Sequence, residues 1–94
     1  MQELLFDYRA SAQRSGSELR RAHAANDVRQ LGAIAHQLKS SSRSVGALTL
    51  GDLCAELENN CRLHAKQGIV QGMAQFNTEL LAVDDQLGHL LAPN

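Results

Sequence analysis

The sequence predicts an all-α protein, an antiparallel up-down-up-down four-helix bundle, on three observations. The 94 residues suffice for one small domain, and their composition of 44% hydrophobic but only 3% aromatic residues predicts an aliphatic core. The only proline is Pro93, so the body of the chain holds no residue that must interrupt a helix. Four segments carry helical apolar stripes, and the short connections between them favour antiparallel neighbours. We expect one domain over residues 1–94.

The first segment predicts a helix because its inward positions are spaced alternately three and four residues apart. These positions are Leu5, Tyr8, Ala12, Ser15, Leu19 and Ala22. Ser15-Gly16-Ser17 lies inside the stripe and predicts a bend or a break, because glycine weakens helix interiors. Asn26-Asp27 then predicts the N-terminal cap of a second helix.

The remaining stripes predict three more helices. The second comprises Val28, Leu31, Ile34, Ala35, Leu38 and Val45. Gly46 and Thr49 mark a break and a restart. The third comprises Leu50, Leu53, Cys54, Leu57, Cys61 and His64. Lys66-Gln67-Gly68 predicts the end of this helix, with a basic residue and a glycine at its C-terminus. The fourth comprises Ile69, Met73, Phe76, Leu80, Val83, Leu87 and Leu90, and Pro93 stops it.

Composition excludes several classes of function. A net charge of −1 argues against a general nucleic-acid binder. No apolar run approaches the ~18 residues of a membrane span, and the N-terminus lacks the features of a signal peptide. Cys54 and Cys61 lie two helical turns apart, or ~10.5 Å, which is too far for a disulfide. We therefore expect reduced cysteines and a cytoplasmic location, and no metal site, since the histidines and cysteines lack ligand spacing.

His36 is the candidate functional residue. At about 100° per residue it falls nearly opposite the apolar side of the second helix, so we expect it to be open to water. Around it lie Arg29, Gly32, Lys39, Ser40 and Arg43. The small neighbours leave the ring accessible to another protein, and the cations suit a negatively charged group. An exposed imidazole nitrogen can act as a nucleophile. A plain polar surface residue remains the alternative on spacing alone.

Other polar positions receive structural interpretations. His64 lies on the third apolar stripe and is expected at the core boundary. Asp84-Asp85 is expected to form a solvated face.

The segment from Ala35 to Ala47 resembles the motif of histidine-containing phosphotransfer (HPt) domains. That family carries A-H-x-L-K-G, five variable positions and G-A, and this chain has Ala35-His36-Gln37-Leu38-Lys39 and Gly46-Ala47 at those offsets. The resemblance implies a four-helix bundle in which His36 is the phosphoacceptor, Lys39 steadies the phosphoryl oxygens and Gly46 allows a tight turn beside the docking face.

Two positions depart from the family pattern. Ser40 stands where glycine is common, and Arg43 stands where a small residue is common. Neither departure removes the nucleophile, but both bear on the choice of partner.

The resemblance also implies the chemistry and the partners. His36 would accept a phosphoryl group from a receiver-domain aspartyl phosphate and pass it to another receiver aspartate. The chain would be a monomeric phosphocarrier without its own ATP site or cofactor, with Mg²⁺ held by the receiver. It would stand alone in the cytoplasm or form the cytoplasmic terminal domain of a membrane-bound hybrid sensor kinase. The expected partner-binding residues are Arg29, Gly32, Ser40, Arg43 and Gly46. The alternative is a non-catalytic helical adaptor that binds a protein without chemistry.

Overall fold

The computed structural model describes residues 2–92, and this part of the chain is all-helical, with four α-helices and no strand. The helices are α1 (Gln2–Ala24), α2 (Val28–Ser44), α3 (Leu48–Arg62) and α4 (Lys66–Leu91). The predicted all-α class is therefore confirmed, while Pro93 lies outside the described residues. Within those residues, no helix combines the length and the apolarity that crossing a membrane requires.

Helix α1 is continuous, so the predicted break at Ser15-Gly16-Ser17 is wrong. Gly16 is buried, and a Cβ atom placed on it would come within 2.6 Å of Leu80 Cδ2 on α4. The glycine therefore serves the close approach of two helices. A glycine inside a helix lowers stability by about 1 kcal/mol relative to alanine. This loss is small compared with the stability that packing of the whole helix contributes.

The start of α2 is the predicted one. The side chain of Asp27 accepts a hydrogen bond from the Gln30 backbone N–H at 3.1 Å, which satisfies a donor that the first helical turn leaves free. The end of α2 also agrees with the sequence. Gly46 has a φ of +84°, a left-handed conformation that glycine adopts without steric cost. The chain turns there, and α3 begins two residues later.

The boundary between α3 and α4 corrects two predictions. Helix α3 ends at Arg62, and Lys66 begins α4, so Lys66-Gln67-Gly68 does not terminate α3. His64 lies in the turn with a φ of +52° and is exposed, so it does not belong to the third apolar stripe. Gly68 instead lies in the first turn of α4, where a Cβ atom would come within 2.7 Å of the Asn60 side chain. This glycine again marks a close approach between helices.

The core is mostly aliphatic, as the composition predicts, with Phe76 and Tyr8 as its aromatic members. Helix α1 packs against α2 and α4, and α3 also packs against α2 and α4. The largest fully buried side chains are Phe76, Leu19, Leu31, Leu38, Leu50 and Leu57. Buried Ser42 shares a hydrogen bond of 2.7 Å with the hydroxyl of Tyr8, which satisfies both polar groups. Leu90, predicted for the fourth stripe, is exposed, whereas the next residue, Leu91, packs against the core.

Asp84 differs from the expectation of a solvated face. Its carboxylate is half-buried between α1 and α4, where it accepts hydrogen bonds from Arg9 Nε at 2.9 Å and from Gln13 Nε2 at 2.6 Å. Asp85 is exposed, as expected. Asp84 therefore links α4 to α1 through hydrogen bonds, and only Asp85 faces water.

Candidate functional site

His36 lies on the outer face of α2, and 59% of its side chain is exposed. Its neighbours Ala35 and Leu38 are buried, so packing of the opposite face fixes the rotation of the helix and turns residue 36 outward. The predicted exposure of the imidazole is confirmed.

A carboxylate on the neighbouring helix holds the ring. Glu58 Oε2 on α3 lies 2.8 Å from His36 Nδ1, and Glu58 Oε1 accepts a hydrogen bond of 2.7 Å from Lys39 Nζ. One carboxyl group therefore connects the two residues of α2 that the sequence places one turn apart. Only 21% of the Lys39 side chain is exposed, so its ammonium lies largely against the protein.

The hydrogen bonds of this trio set the tautomer of the neutral ring. The hydrogen bond from Lys39 is the main cause that holds the pKa of Glu58 below its ordinary value, and the His36 bond adds to it. An ionised carboxylate can only accept, so His36 Nδ1 carries the hydrogen that it donates to Glu58. In the neutral ring the lone pair is then on Nε2, the nitrogen farther from the backbone. The arrangement gives a fixed tautomer with a nucleophilic nitrogen away from the carboxylate.

An open groove of about 930 Å³ lies between α2 and α3 and includes His36 in its wall. We call it the α2–α3 groove. It is lined by Val28, Arg29, Gly32, Ala33, His36, Gln37, Ala55, Glu58, Asn59, Cys61, Arg62 and His64. Two of the predicted partner-binding residues, Arg29 and Gly32, therefore lie beside the imidazole.

The other predicted partner-binding residues are placed differently. Arg43 is directed at α3, where its guanidinium lies 3.2 Å from an Asp52 carboxylate oxygen and its stem covers Gly51. Ser40 is exposed on α2. Gly46 lies in the turn after α2, in a separate depression with Ala47. Neither Ser40, Arg43 nor Gly46 lines the α2–α3 groove.

Sequence reasoning missed Glu58 and Arg62 as members of the site. Both lie on α3, where Glu58 is half-buried and Arg62 is exposed. Spacing within α3 does not show which residue of α2 either side chain meets, so the sequence carries no signal for these two positions.

The cysteines and the remaining acids suggest no second site. Cys54 and Cys61 are free and buried, as the spacing predicts, and burial raises the pKa of Cys54 to about 12. Across residues 2–92 the structure brings together no group of three or more His, Cys, Asp or Glu side chains suited to a metal ion.

Two comparisons with known proteins show what the chain is similar to. The family profile described as Hpt domain matches residues 3–87. Histidine-containing phosphotransfer protein 2 of Arabidopsis thaliana is 38% identical over 61 residues, which make up 65% of this chain and 39% of that protein. The chain thus aligns with well under half the length of this relative. No solved structure matches the chain.

Proposed function

The chain belongs to the Hpt domain family, and we propose that it carries a phosphoryl group on His36 between receiver domains of response regulators. The observation that carries the proposal is the exposed imidazole whose Nδ1 lies 2.8 Å from Glu58. A nucleophile of this kind needs to be accessible, correctly protonated and fixed in direction before its partner arrives.

The proposed transfer begins with the Nε2 lone pair of His36. It attacks the phosphorus of an aspartyl phosphate on the receiver in line with the leaving oxygen, so that a P–N bond forms and the P–O bond to the aspartate breaks. The receiver regains its carboxylate. The His36 ring becomes positively charged while Nδ1 keeps its hydrogen, and the Glu58 carboxylate 2.8 Å away stabilises that charge. A second receiver aspartate then attacks the phosphorus, and the P–N bond breaks.

Lys39 is proposed to neutralise the phosphoryl oxygens. Its ammonium donates to the same Glu58 carboxylate that lies beside the ring, and its flexible side chain would reorient toward a phosphoryl group on Nε2. Mg²⁺ held by the receiver would supply further charge neutralisation. In this proposal His36 bonds to phosphorus, Glu58 orients the ring, and Lys39 neutralises the negative charge of the phosphoryl oxygens.

We also infer that the helices alternate in direction as an up-down-up-down bundle. His36 pairs with Glu58 and Arg43 pairs with Asp52, so later residues of α2 meet earlier residues of α3. The pairs between α1 and α4 follow the same order: Arg9 with Asp84, and Arg20 with Asn77. Both patterns support opposite directions for the two helices of each pair. Tyr8 near the beginning of α1 bonds to Ser42 near the end of α2, which supports opposite directions for α1 and α2 as well.

The test is transfer from phosphorylated receivers to His36→Gln, with His89→Gln as the matched control because His89 is also exposed and does not line the α2–α3 groove. We expect the wild type and the control to gain an acid-labile phosphate and His36→Gln to gain none. All three should melt within about 2 °C of one another, since both changes are at the surface. Labelling of His36→Gln would remove His36 as the acceptor, and absence of labelling in the wild type with every receiver would leave a non-catalytic adaptor.

A further inference from the structure

Two arginines border the α2–α3 groove on the side away from Lys39. On the basis of the proposed phosphotransfer, we propose that Arg29 and Arg62 together select receiver domains whose docking segment carries acidic side chains. The segment would lie in the groove, from His36 toward the beginning of α2 and the end of α3. We refer to Arg29 and Arg62 as the arginine pair.

The shape of the groove suits a protein segment. Its lining includes the apolar side chains of Val28, Ala33 and Ala55, which offer contact area beside the imidazole. The arginine pair stands in the same lining, with Arg29 contributed by α2 and Arg62 by α3. A segment bound between these two helices would thus touch apolar surface and meet a guanidinium from each wall.

The groove carries an excess of positive charge at the end where Arg29 and Arg62 lie. Among the residues described, neither Arg29 nor Arg62 has a carboxylate within ion-pair distance, and the Arg62 guanidinium donates to the neutral Asn59 side chain. Glu58 provides the one carboxylate in the lining, and it already accepts from Lys39 and His36. Two guanidiniums are therefore open to acidic groups of a partner.

The opposite side of His36 is different. Lys39 is paired with Glu58, and Arg43 is paired with Asp52. Positive charge without an internal partner therefore lies toward Arg29 and Arg62 rather than toward Arg43. An acidic segment is therefore attracted toward the arginine pair, and for this reason we assign the selection of partners to these two residues.

The charge of the whole chain favours a protein as the occupant. The net charge is −1, so the surface as a whole does not attract a long polyanion such as nucleic acid. Ion pairs at the rim of an interface mainly raise the rate of association and discriminate between partners, and they weaken as salt screens them. Weak, selective and reversible docking suits a carrier that must leave each receiver after transfer.

The experiment compares Arg29→Glu/Arg62→Glu with the control Arg14→Glu/Arg21→Glu, in which two exposed arginines of α1 undergo the same change in charge. The probe is the receiver domain that transfers phosphoryl fastest to the wild type within a panel. We expect the groove variant to raise KM about tenfold while kcat changes little, and we expect the control to stay within about twofold. The difference should shrink at high ionic strength. Changing an acidic residue of the receiver's docking segment to lysine should restore transfer to the groove variant.

The outcomes separate the two proposals. If the groove variant and the control have equal KM values, selection by the arginine pair is wrong while phosphotransfer on His36 stands. If no receiver labels the wild type, although phosphoramidate labels His36 directly, the receiver partnership fails and the selection fails with it. If sedimentation shows that the wild type dimerises and the groove variant does not, a second copy occupies the groove, and this too overturns the inference.

Discussion

Glu58 Oε2 lies 2.8 Å from His36 Nδ1, although the two residues stand 22 positions apart in the chain. The other oxygen of the same carboxylate accepts from Lys39. The ring is therefore oriented by a residue of another helix, and its fixed tautomer exists before any partner binds. Because transfer of a phosphoryl group depends mainly on position and charge, this orientation is where the fold contributes most to the proposed chemistry.

Replacing Glu58 tests that orientation. In Glu58→Gln the amide oxygen still accepts from Nδ1–H but the charge is lost, whereas Glu58→Ala removes both. We expect the transfer rate to fall about tenfold in the alanine variant and less in the glutamine variant. Nitrogen NMR of the imidazole should show hydrogen on Nδ1 in the wild type and a tautomer mixture in Glu58→Ala. An unchanged tautomer ratio would remove Glu58 from the positioning role.

Lys39→Ala tests the balance of charge at the phosphoryl group. We expect phosphohistidine on His36 to decay about threefold faster or more, or its formation to slow by as much, because its oxygens lose a cation. Lys66→Ala is the control, since Lys66 is an exposed lysine at the start of α4. The measurement is the loss of label over time at neutral pH, with thermal unfolding alongside. Equal rates for both variants would exclude a role of Lys39 in transfer.

Asp84 is expected to make stability depend on pH. The hydrogen bond from Arg9 is the main cause that lowers the pKa of Asp84 in the folded chain, and the Gln13 bond adds to it. Because the folded pKa is below the unfolded value of about 3.9, this stabilisation is complete above that value. It is lost as the pH falls through the folded pKa.

The corresponding variant is Asp84→Asn, compared with Asp85→Asn at the exposed neighbour. At pH 7 we expect Asp84→Asn to melt about 2–5 °C below the wild type. This difference in melting temperature should vanish at a pH low enough to protonate Asp84 in the folded wild type. The melting temperature of Asp85→Asn should stay near that of the wild type at every pH. A gap that persists in strong acid would show that lost packing, rather than the carboxylate charge, causes the destabilisation.

Predictions from the sequence are confirmed for features that depend on one helix alone. The Asp27 cap depends on residues three positions apart, and the exposure of His36 depends on the rotation of one amphipathic helix. The break predicted at Gly16 and the helix end predicted at Gly68 are wrong, because glycine can either end a helix or permit another helix to approach. Only the position of Leu80 and Asn60 on the facing helices distinguishes these uses.

Helical periodicity is a property of each segment alone, so the amino-acid sequence suffices to predict four amphipathic helices and an imidazole that faces water with a lysine one turn later. The contact of Glu58 with His36 and Lys39, and the position of Arg29 and Arg62 beside one groove, follow from the packing of the helices. Those contacts depend on how α3 is shifted and rotated against α2. That arrangement is set by the packing of buried side chains from both helices, which no spacing within one segment contains.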